Sequence, residues 1–480
     1  MPQGVVVLPG GLQYHPSLGP GAAGRQEEAQ ALSSEPASGS APESGFPHPA
    51  YAWYVLFVLF FAYVVSFLDR QILTLLVEPI KADLELTDTM LSLLHGFTFA
   101  IFYVLFGFPL GRMADRRKRT GLIIAGVALW SAMTAACGFA RNAMMLFFAR
   151  VGVAVGEATL SPCAYSLLSD YFPRALRGRA ISLYSLGIFA GAGMAYIFGG
   201  LVTGYASQTV ADGTSIMSGF KPWQLTFIIT SLPGVAVIAL MFTVREPRRQ
   251  ETVAAGQAGM TMRQTLQYMR RHGRLYAAML VGNGFIALGN YALFAWLPAY
   301  FIRVFEYTPR QIGTTFGSIL LVFGSLGLVL GGVLADRRFR SGKLGAHYNL
   351  ALGMTALGII PAALLLLNLG EQWQLVWVAG VVLCGAVSTG LVPASTQLIT
   401  PNELRGQATA LYLLLSTIVG LGLGPTFVAL LVDYHFGDPK AVGMALAMVL
   451  SCTWLLAITI MLSGRKAYLN RQRQIEQGGL

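Results

Sequence analysis

Charge is what this sequence has least of. Asp, Glu, Lys and Arg together make up 11% of its 480 residues, where a soluble domain carries about 25%. That shortage excludes a water-exposed surface over most of the chain. Cysteine is scarce as well: Cys137, Cys163, Cys384 and Cys452 all fall in apolar runs without metal-ligand spacing, so neither a metal site nor a disulfide is expected. No G-x-x-x-x-G-K stretch occurs, which argues against ATP as an energy source. Residues 1–50 lack a basic segment followed by a long apolar core. Their Gly, Pro, Ala and Ser content reads as a disordered N-terminal tail and not as a signal peptide. Without a sizeable soluble domain, an enzyme or a non-transporting sensor is a poor fit.

What is abundant is apolar sequence, at 55%. Runs of about 20 residues, the length a helix needs to cross the hydrocarbon core, recur from Ala52–Val77 to Val442–Leu462 and number twelve. An all-α membrane protein is expected. The 33 Lys and Arg residues follow its topology. With the N-terminus in the cytoplasm, only Lys81, Arg141, Lys221, Arg303, Arg310 and Lys440 fall outside, and only Arg70 and Arg150 fall within the membrane. The remaining basic residues are cytoplasmic, so both termini are placed there, in the cell membrane, by the positive-inside rule. The net charge of +11 is therefore topological, and no nucleic-acid partner is expected.

An internal repeat organises the chain. Pro173, Leu176, Arg177, Gly178, Ala180, Leu183 and Tyr184 recur at one constant offset as Pro401, Leu404, Arg405, Gly406, Ala408, Leu411 and Tyr412. A second set agrees: Gly111, Ala114, Asp115, Arg116 and Arg117 recur as Gly332, Ala335, Asp336, Arg337 and Arg338. Both sets lie on connections expected in the cytoplasm. The organisation that follows is an N-terminal six-helix half over 51–245, a cytoplasmic linker over 246–273, a C-terminal half over 274–464 and a C-terminal tail over 465–480.

Two homologous six-helix halves are the arrangement of the major facilitator superfamily, whose substrate cavity lies at their interface. The stretch GRMADRRKRT from Gly111 to Thr120 resembles that superfamily's signature between helices 2 and 3, with Gly111, Asp115, Arg116 and Arg119 on matching positions. Lys118 departs from it, standing where the signature usually has Gly. RVGVAVGEA from Arg150 to Ala158 resembles the helix 4 signature. Within the superfamily, FLDRQ at Phe67–Gln71, GEA at Gly156–Ala158 and DYFPRALRGRA at Asp170–Ala180 resemble the Spinster family. The resemblance implies proton-coupled movement of lysolipids or sphingosine-type phosphates, with Asp69, Arg70 and Glu157 on matching positions. It also points to a cytoplasmic gate at Asp115, Arg116, Arg119, Asp336, Arg337, Arg177 and Arg405.

The residues themselves support a functional reading. A charge at the centre of a spanning helix costs about 2.5–3.5 kcal/mol on insertion scales and usually marks a working site. The clear cases are Asp69, Arg70, Arg150 and Glu157, all in the N-terminal half. Arg150 and Glu157, seven apart, share a helical face about 10.5 Å apart along the axis, and residue counting puts Asp69 level with Arg150. An Asp69–Arg150 ion pair is expected, either as part of the coupling machinery or as a static clamp between helices 1 and 4. Asp69 and Glu157 are the candidate proton carriers; no other cofactor is expected.

Arg70, Glu157, Asn283 and Asn290 are candidates for substrate contact. The plainer alternatives are Arg70 bonding to helix-end carbonyls and, just as open as substrate contact, the two Asn residues serving interhelical packing. His95 reads as an interfacial or packing histidine. Asp115 and Asp336, at helix ends beside basic residues, can cap a neighbouring helix and hold an inner gate closed; a solvated topogenic cluster is the plainer alternative. The predicted interiors of helices 7–12 carry no Asp, Glu, Lys or Arg, which suits a small amphiphilic or lipid substrate better than a sugar. A drug or organic-anion exporter of the same fold is the alternative. Membrane lipids are the other expected partners, and the protein is expected to be a monomer.

Overall fold

The computed structural model describes residues 46–212, 219–249, 262–401 and 404–477. Among them are twelve helices long and apolar enough to cross a membrane. They are α1 Pro49–Leu75, α2 Asp88–Arg116, α3 Arg119–Gly138, α4 Ala143–Tyr171, α5 Leu176–Asp212 and α6 Pro222–Thr243, then α7 Gly273–Phe305, α8 Pro309–Arg340, α9 Ala346–Leu367, α10 Glu371–Ile399, α11 Arg405–Phe436 and α12 Pro439–Glu476. Helices are the expected solution because hydrocarbon offers backbone groups no water. An even number of crossings puts both ends of the bundle on one face. That face carries the arginine-rich connections and is called the basic face below; the other is the far face.

Two expected boundaries move, and the expected linker is partly helical. Residues 465–476 are not a tail but continue α12, because Ala467, Tyr468 and Gln472 pack inward and give the helix a buried stripe beyond its membrane-spanning part. The linker contains a helix at Met262–Arg271, and residues 250–261 of it lie outside the described residues. The N-terminal tail at 1–45 also lies outside them, and α1 already starts at Pro49, with the His48 ring accepting from the Ala50 amide.

Several helices are interrupted where proline forbids a regular ladder. Pro162 has no N–H for the Ala158 carbonyl and crowds it, so α4 breaks between Glu157 and Leu160. Pro233 divides α6 in the same way after Ser231. In α2, α8 and α11, three of the wider i→i+5 turns occur at Leu93–Phe97, Leu320–Gly324 and Ser416–Leu423, and α11 ends in a fourth at Leu431–Phe436. Such turns rotate the faces of the flanking segments and are frequent at functional sites. All four lie in helices that meet the opposite half.

Small residues let those helices touch. A Cβ on Gly193 of α5 would stand 2.6 Å from the Gly317 carbonyl oxygen of α8, and one on Gly317 would stand 2.5 Å from the Gly193 oxygen. Gly96 of α2 faces the Leu421 carbonyl of α11 at 2.5 Å in the same sense. Backbones this close exchange dispersion contacts that larger residues would prevent, the usual basis of helix association in lipid. Within the C-terminal half, α12 lies against α7, with Trp454 fully buried against Gly289 and Gly358.

Gly317→Ala should therefore lower the melting temperature of the purified protein by several degrees, since overpacking a tight contact costs about 1–3 kcal/mol. Gly107→Ala, whose added Cβ would meet nothing within 4 Å, is the control and should not. Equal melting of the two variants would show that the α5–α8 approach is looser than its geometry.

Candidate functional site

The four intramembrane charges come together in the interior of the N-terminal half, but not in the expected pairs. Arg70 and not Asp69 forms the ion pair. Its Nη2 lies 2.5 Å and its Nε 3.1 Å from Glu157 Oε2, and Ser66 Oγ donates to the same oxygen at 3.1 Å. Asp69 and Arg70 are consecutive, so their side chains leave the helix about 100° apart and cannot both face α4. Asp69 is turned toward α3. Arg150 reaches only its backbone, donating from Nη1 to the Asp69 carbonyl oxygen at 3.0 Å. The expected Asp69–Arg150 ion pair is thus replaced by a main-chain hydrogen bond.

This leaves unspent polar atoms in a dry place. Asp69 is fully buried and has no ion-pair partner; its carboxylate faces the neutral donors Trp130 Nε1 and Thr134 Oγ1 of α3, neither in full hydrogen-bond geometry. Arg150 Nε and Nη2 and Glu157 Oε1 are buried and unpartnered. Buried polar groups are ordinarily satisfied. Aromatic rings stand in for part of the missing contact. The Arg70 guanidinium lies 4.8 Å from the Phe99 ring centre, 5.3 Å from Phe67 and 5.5 Å from Tyr103, and Arg150 approaches Phe99 at 5.4 Å. Desolvated contacts of this kind are worth about 2 kcal/mol. Phe99 and Tyr103, four apart, share one face of α2. Beyond them Tyr63 stacks on Tyr184 at 4.9 Å, and Tyr184 meets Tyr165 edge-on at 5.3 Å.

The remaining candidates are placed as follows. Asn283 donates to Ser416 Oγ at 2.7 Å and Asn290 to Thr389 Oγ1 at 3.2 Å, so in this conformation both tie helices of the C-terminal half together. His95 is buried at the wide turn of α2 with Nδ1 unpartnered, as a packing histidine would be. On the basic face Asp115, Arg116 and Arg337 are exposed. Asp336 pairs with His347 Nε2 at 3.0 Å, within its own half. Arg405 donates to the Thr400 carbonyl at 3.1 Å, and Arg177 is partly buried at the start of α5.

Arg119 is the hub of a network. It pairs with Asp170 at 2.5 Å and Glu246 at 2.7 Å, while Glu246 Oε2 accepts from the Thr120 amide and hydroxyl, both at 3.0 Å. Arg249 donates to the Ala114, Asp115 and Arg117 carbonyls. The segment after α6 therefore straps the α2–α3 connection in place.

Sequence reasoning missed the closure of the far face altogether. Arg303 at the end of α7 reaches into the other half, with Nε 2.7 Å from Glu78 and a two-pronged contact to Asp88 at 2.6 and 2.8 Å. Lys81 shares Asp88. Asp433 of α11 accepts from the Thr89 amide and hydroxyl of α2, both at 2.7 Å. These residues are spread along the chain, and only the charges at span ends hinted at them.

Twelve helices in two six-helix halves, sealed to each other at one face around buried charges, define a membrane transporter of the secondary type. The chain belongs to the Major Facilitator Superfamily, whose sequence profile matches residues 59–425; it is a transporter and not an enzyme. Within that superfamily it resembles the Spinster proteins. It is 28% identical over 398 residues to Protein spinster homolog 1 of Homo sapiens, across 75% of this chain and 72% of that one. It is also 28% identical over 422 residues to an MFS-type efflux pump of Mycolicibacterium smegmatis, across 85% and 93%. The fold matches the crystal structure of a bacterial homologue of the human lysosomal transporter Spinster, inward-facing and unoccupied, with a TM-score of 0.73 and 24% identity over 90% of this chain and 99% of that one.

Two tests follow from this geometry. Glu246 sits outside the spans; burial alone would raise its pKa, but the Thr120 amide and the Arg119 guanidinium outweigh burial and hold it below the usual carboxylate range. A depressed carboxylate stabilises the fold above its unfolded pKa of about 4.3 and ceases to as pH falls through its lower folded value. Glu246→Gln should cost about 1–2 kcal/mol at neutral pH, and the gap in thermal stability from wild type should close on acidification below about pH 4. A gap independent of pH would mean that the carboxylate charge contributes nothing. Arg303→Ala should open the far face, read as a longer distance between spin labels at Glu85 and Lys440; an unchanged distance would show that the Asp433–Thr89 bonds and the glycine contacts suffice to seal it.

Proposed function

We propose that this chain is a proton-coupled secondary active transporter of an amphiphile, a lysolipid or sphingolipid-type phosphate, working by alternating access with its basic face in the cytoplasm of the cell membrane. The observation that carries the reading is Asp69, a buried carboxyl with no ion-pair partner, facing only the neutral donors of Trp130 and Thr134, one residue from the Arg70–Glu157 pair. A carboxyl without a counter-charge in low dielectric is where a proton is held most cheaply. Protonation at Glu157, by a proton that Asp69 beside it can hold, would weaken the hold on Arg70. A freed guanidinium in an aromatic setting suits a phosphate headgroup through paired hydrogen bonds. The C-terminal half offers an apolar wall for the acyl chain. Far-face closure by Arg303 and Asp433 fits an inward-facing state, in which Asp115 and Asp336 have not yet met partners across the halves.

The efflux-pump relative favours a second reading, export of a drug or organic anion through the same cavity. Reconstitution in liposomes with an imposed pH gradient separates the two, with a lysophospholipid, a sphingosine-type phosphate and a lipophilic cation as candidate cargo. Wild-type protein should move a phosphate-bearing lipid, and Asp69→Asn should lose gradient-driven accumulation. Full gradient-driven transport by Asp69→Asn ends the proton assignment; transport of the cation alone decides for the exporter.

A further inference from the structure

Most arginines of the basic face are dispersed and solvated, as topology alone requires. Four are not. Arg270 and Arg271 end the linker helix, Arg274 lies in the first turn of α7, and Arg471 lies on the extension of α12, and together with Asn470 and Gln474 they line a groove of about 550 Å³. Among the described residues, none of the four has a carboxylate within ion-pair distance. The nearest acid on the same element, Glu476, is held by Gln472 at 3.1 Å.

The groove is built and not merely charged. Tyr268 of the linker helix accepts a hydrogen bond from Arg471 Nη2 at 2.9 Å, and its ring lies 4.6 Å from that of His272, whose Nδ1 lies 3.1 Å from the Tyr268 carbonyl. Arg471 is thereby held with its Nε buried and unpartnered. Concentrated positive charge with an idle guanidinium donor is what an anion with several oxygen acceptors completes. The groove belongs wholly to the C-terminal half and its linker, away from Arg70 and Glu157.

Its depth selects the kind of anion. On α12, Leu456, Ser463 and Asn470 recur at seven-residue spacing, so the face that ends in the groove is bare leucine higher up; Leu456 is 48% exposed. On α7, Arg274 and Val281 stand in the same relation, and Val281 is 42% exposed. At about 1.5 Å per residue, the groove lies about 10 Å beyond Val281, the interval between the top of an acyl chain and its headgroup phosphate, and about 21 Å beyond Leu456, further down the same chain. Basic pockets between spanning helices bind anionic lipid headgroups on this principle.

We propose that this groove binds the phosphate headgroup of an anionic lipid from the leaflet at the basic face, with an acyl chain along Val281 and Leu456. The site anchors the start of α7 to the linker and to α12. The lipid is a bound companion here and not the cargo.

The test uses purified full-length protein and native mass spectrometry after exchange into dioleoyl phosphatidylglycerol or dioleoyl phosphatidylcholine. Wild-type protein should retain phosphatidylglycerol at least about fivefold over phosphatidylcholine, given about 1 kcal/mol per basic residue at the surface. The triple substitution R270Q/R271Q/R274Q should abolish that preference, and R270K/R271K/R274K should keep most of it. R338Q/R340Q/K343Q, which removes the same charge from the end of α8 and the following turn, should leave it intact. Loss in this last variant equal to that in the groove variant would overturn the site in favour of diffuse attraction. Displacement of the lipid by millimolar glycerol phosphate would overturn the lipid assignment and make the groove a site for soluble phosphates. Should the groove variant fail to fold, absence of selectivity in wild-type protein is itself the disproof.

Discussion

Placing charge in hydrocarbon is the constraint on which the rest of this structure depends. A lone guanidinium or carboxylate in the bilayer interior is costly, and the N-terminal half contains two of each. The structure meets the cost unequally. Arg70 and Glu157 neutralise one another, Ser66 adds a donor and three aromatic rings surround the guanidinium. Arg150 is given one carbonyl and one ring. Asp69 is given no ion pair and only the neutral donors of Trp130 and Thr134. Breaking a buried pair by removing one partner is far more costly than never forming it, so any event that changes the charge of Glu157 or Asp69 propagates to α1 and α4. The proline break directly after Glu157 leaves that helix a ready place to yield.

The same economy explains the division between halves. The C-terminal half holds its interior together with neutral ties such as Asn283–Ser416 and Asn290–Thr389 and with close glycine contacts, so it meets the charged half as a comparatively rigid wall. Between them, contacts are of two kinds with different consequences. Glycine approaches at α5–α8 and α2–α11 depend on fit and tolerate rolling. The Arg303 and Asp433 contacts are directional and exist only when the far face is shut. A seal made of ion pairs at the membrane surface can open into water, where both partners regain hydration, which a buried pair cannot do.

The number of helices, their order, the two-half repeat and the basic face were all legible in the sequence, because each rests on local properties: run length, periodicity and the placement of Lys and Arg. The identity of the buried charges was legible for the same reason, since an ionisable residue inside an apolar run stands out. Even the Phe99 and Tyr103 face could have been found from its four-residue spacing. Residues 465–476 were misread as a tail because their buried stripe becomes visible only against the helices that bury it.

Which charge meets which was decided by tertiary structure alone. Asp69 and Arg150 lie at the same depth by residue counting, yet depth says nothing about azimuth, and a single residue along α1 turns a side chain by about 100°. That rotation hands Glu157 to Arg70 and leaves Asp69 facing Trp130 and Thr134. Arg303, Glu78, Asp88 and Asp433 were each visible as charges at helix ends, but their meeting depends on how the two halves are docked, and docking is a long-range outcome of packing. The sequence by itself determined what must lie in the membrane and which residues are costly there. The fold decided how that cost is shared, because pairing is a property of distances that linear order does not contain.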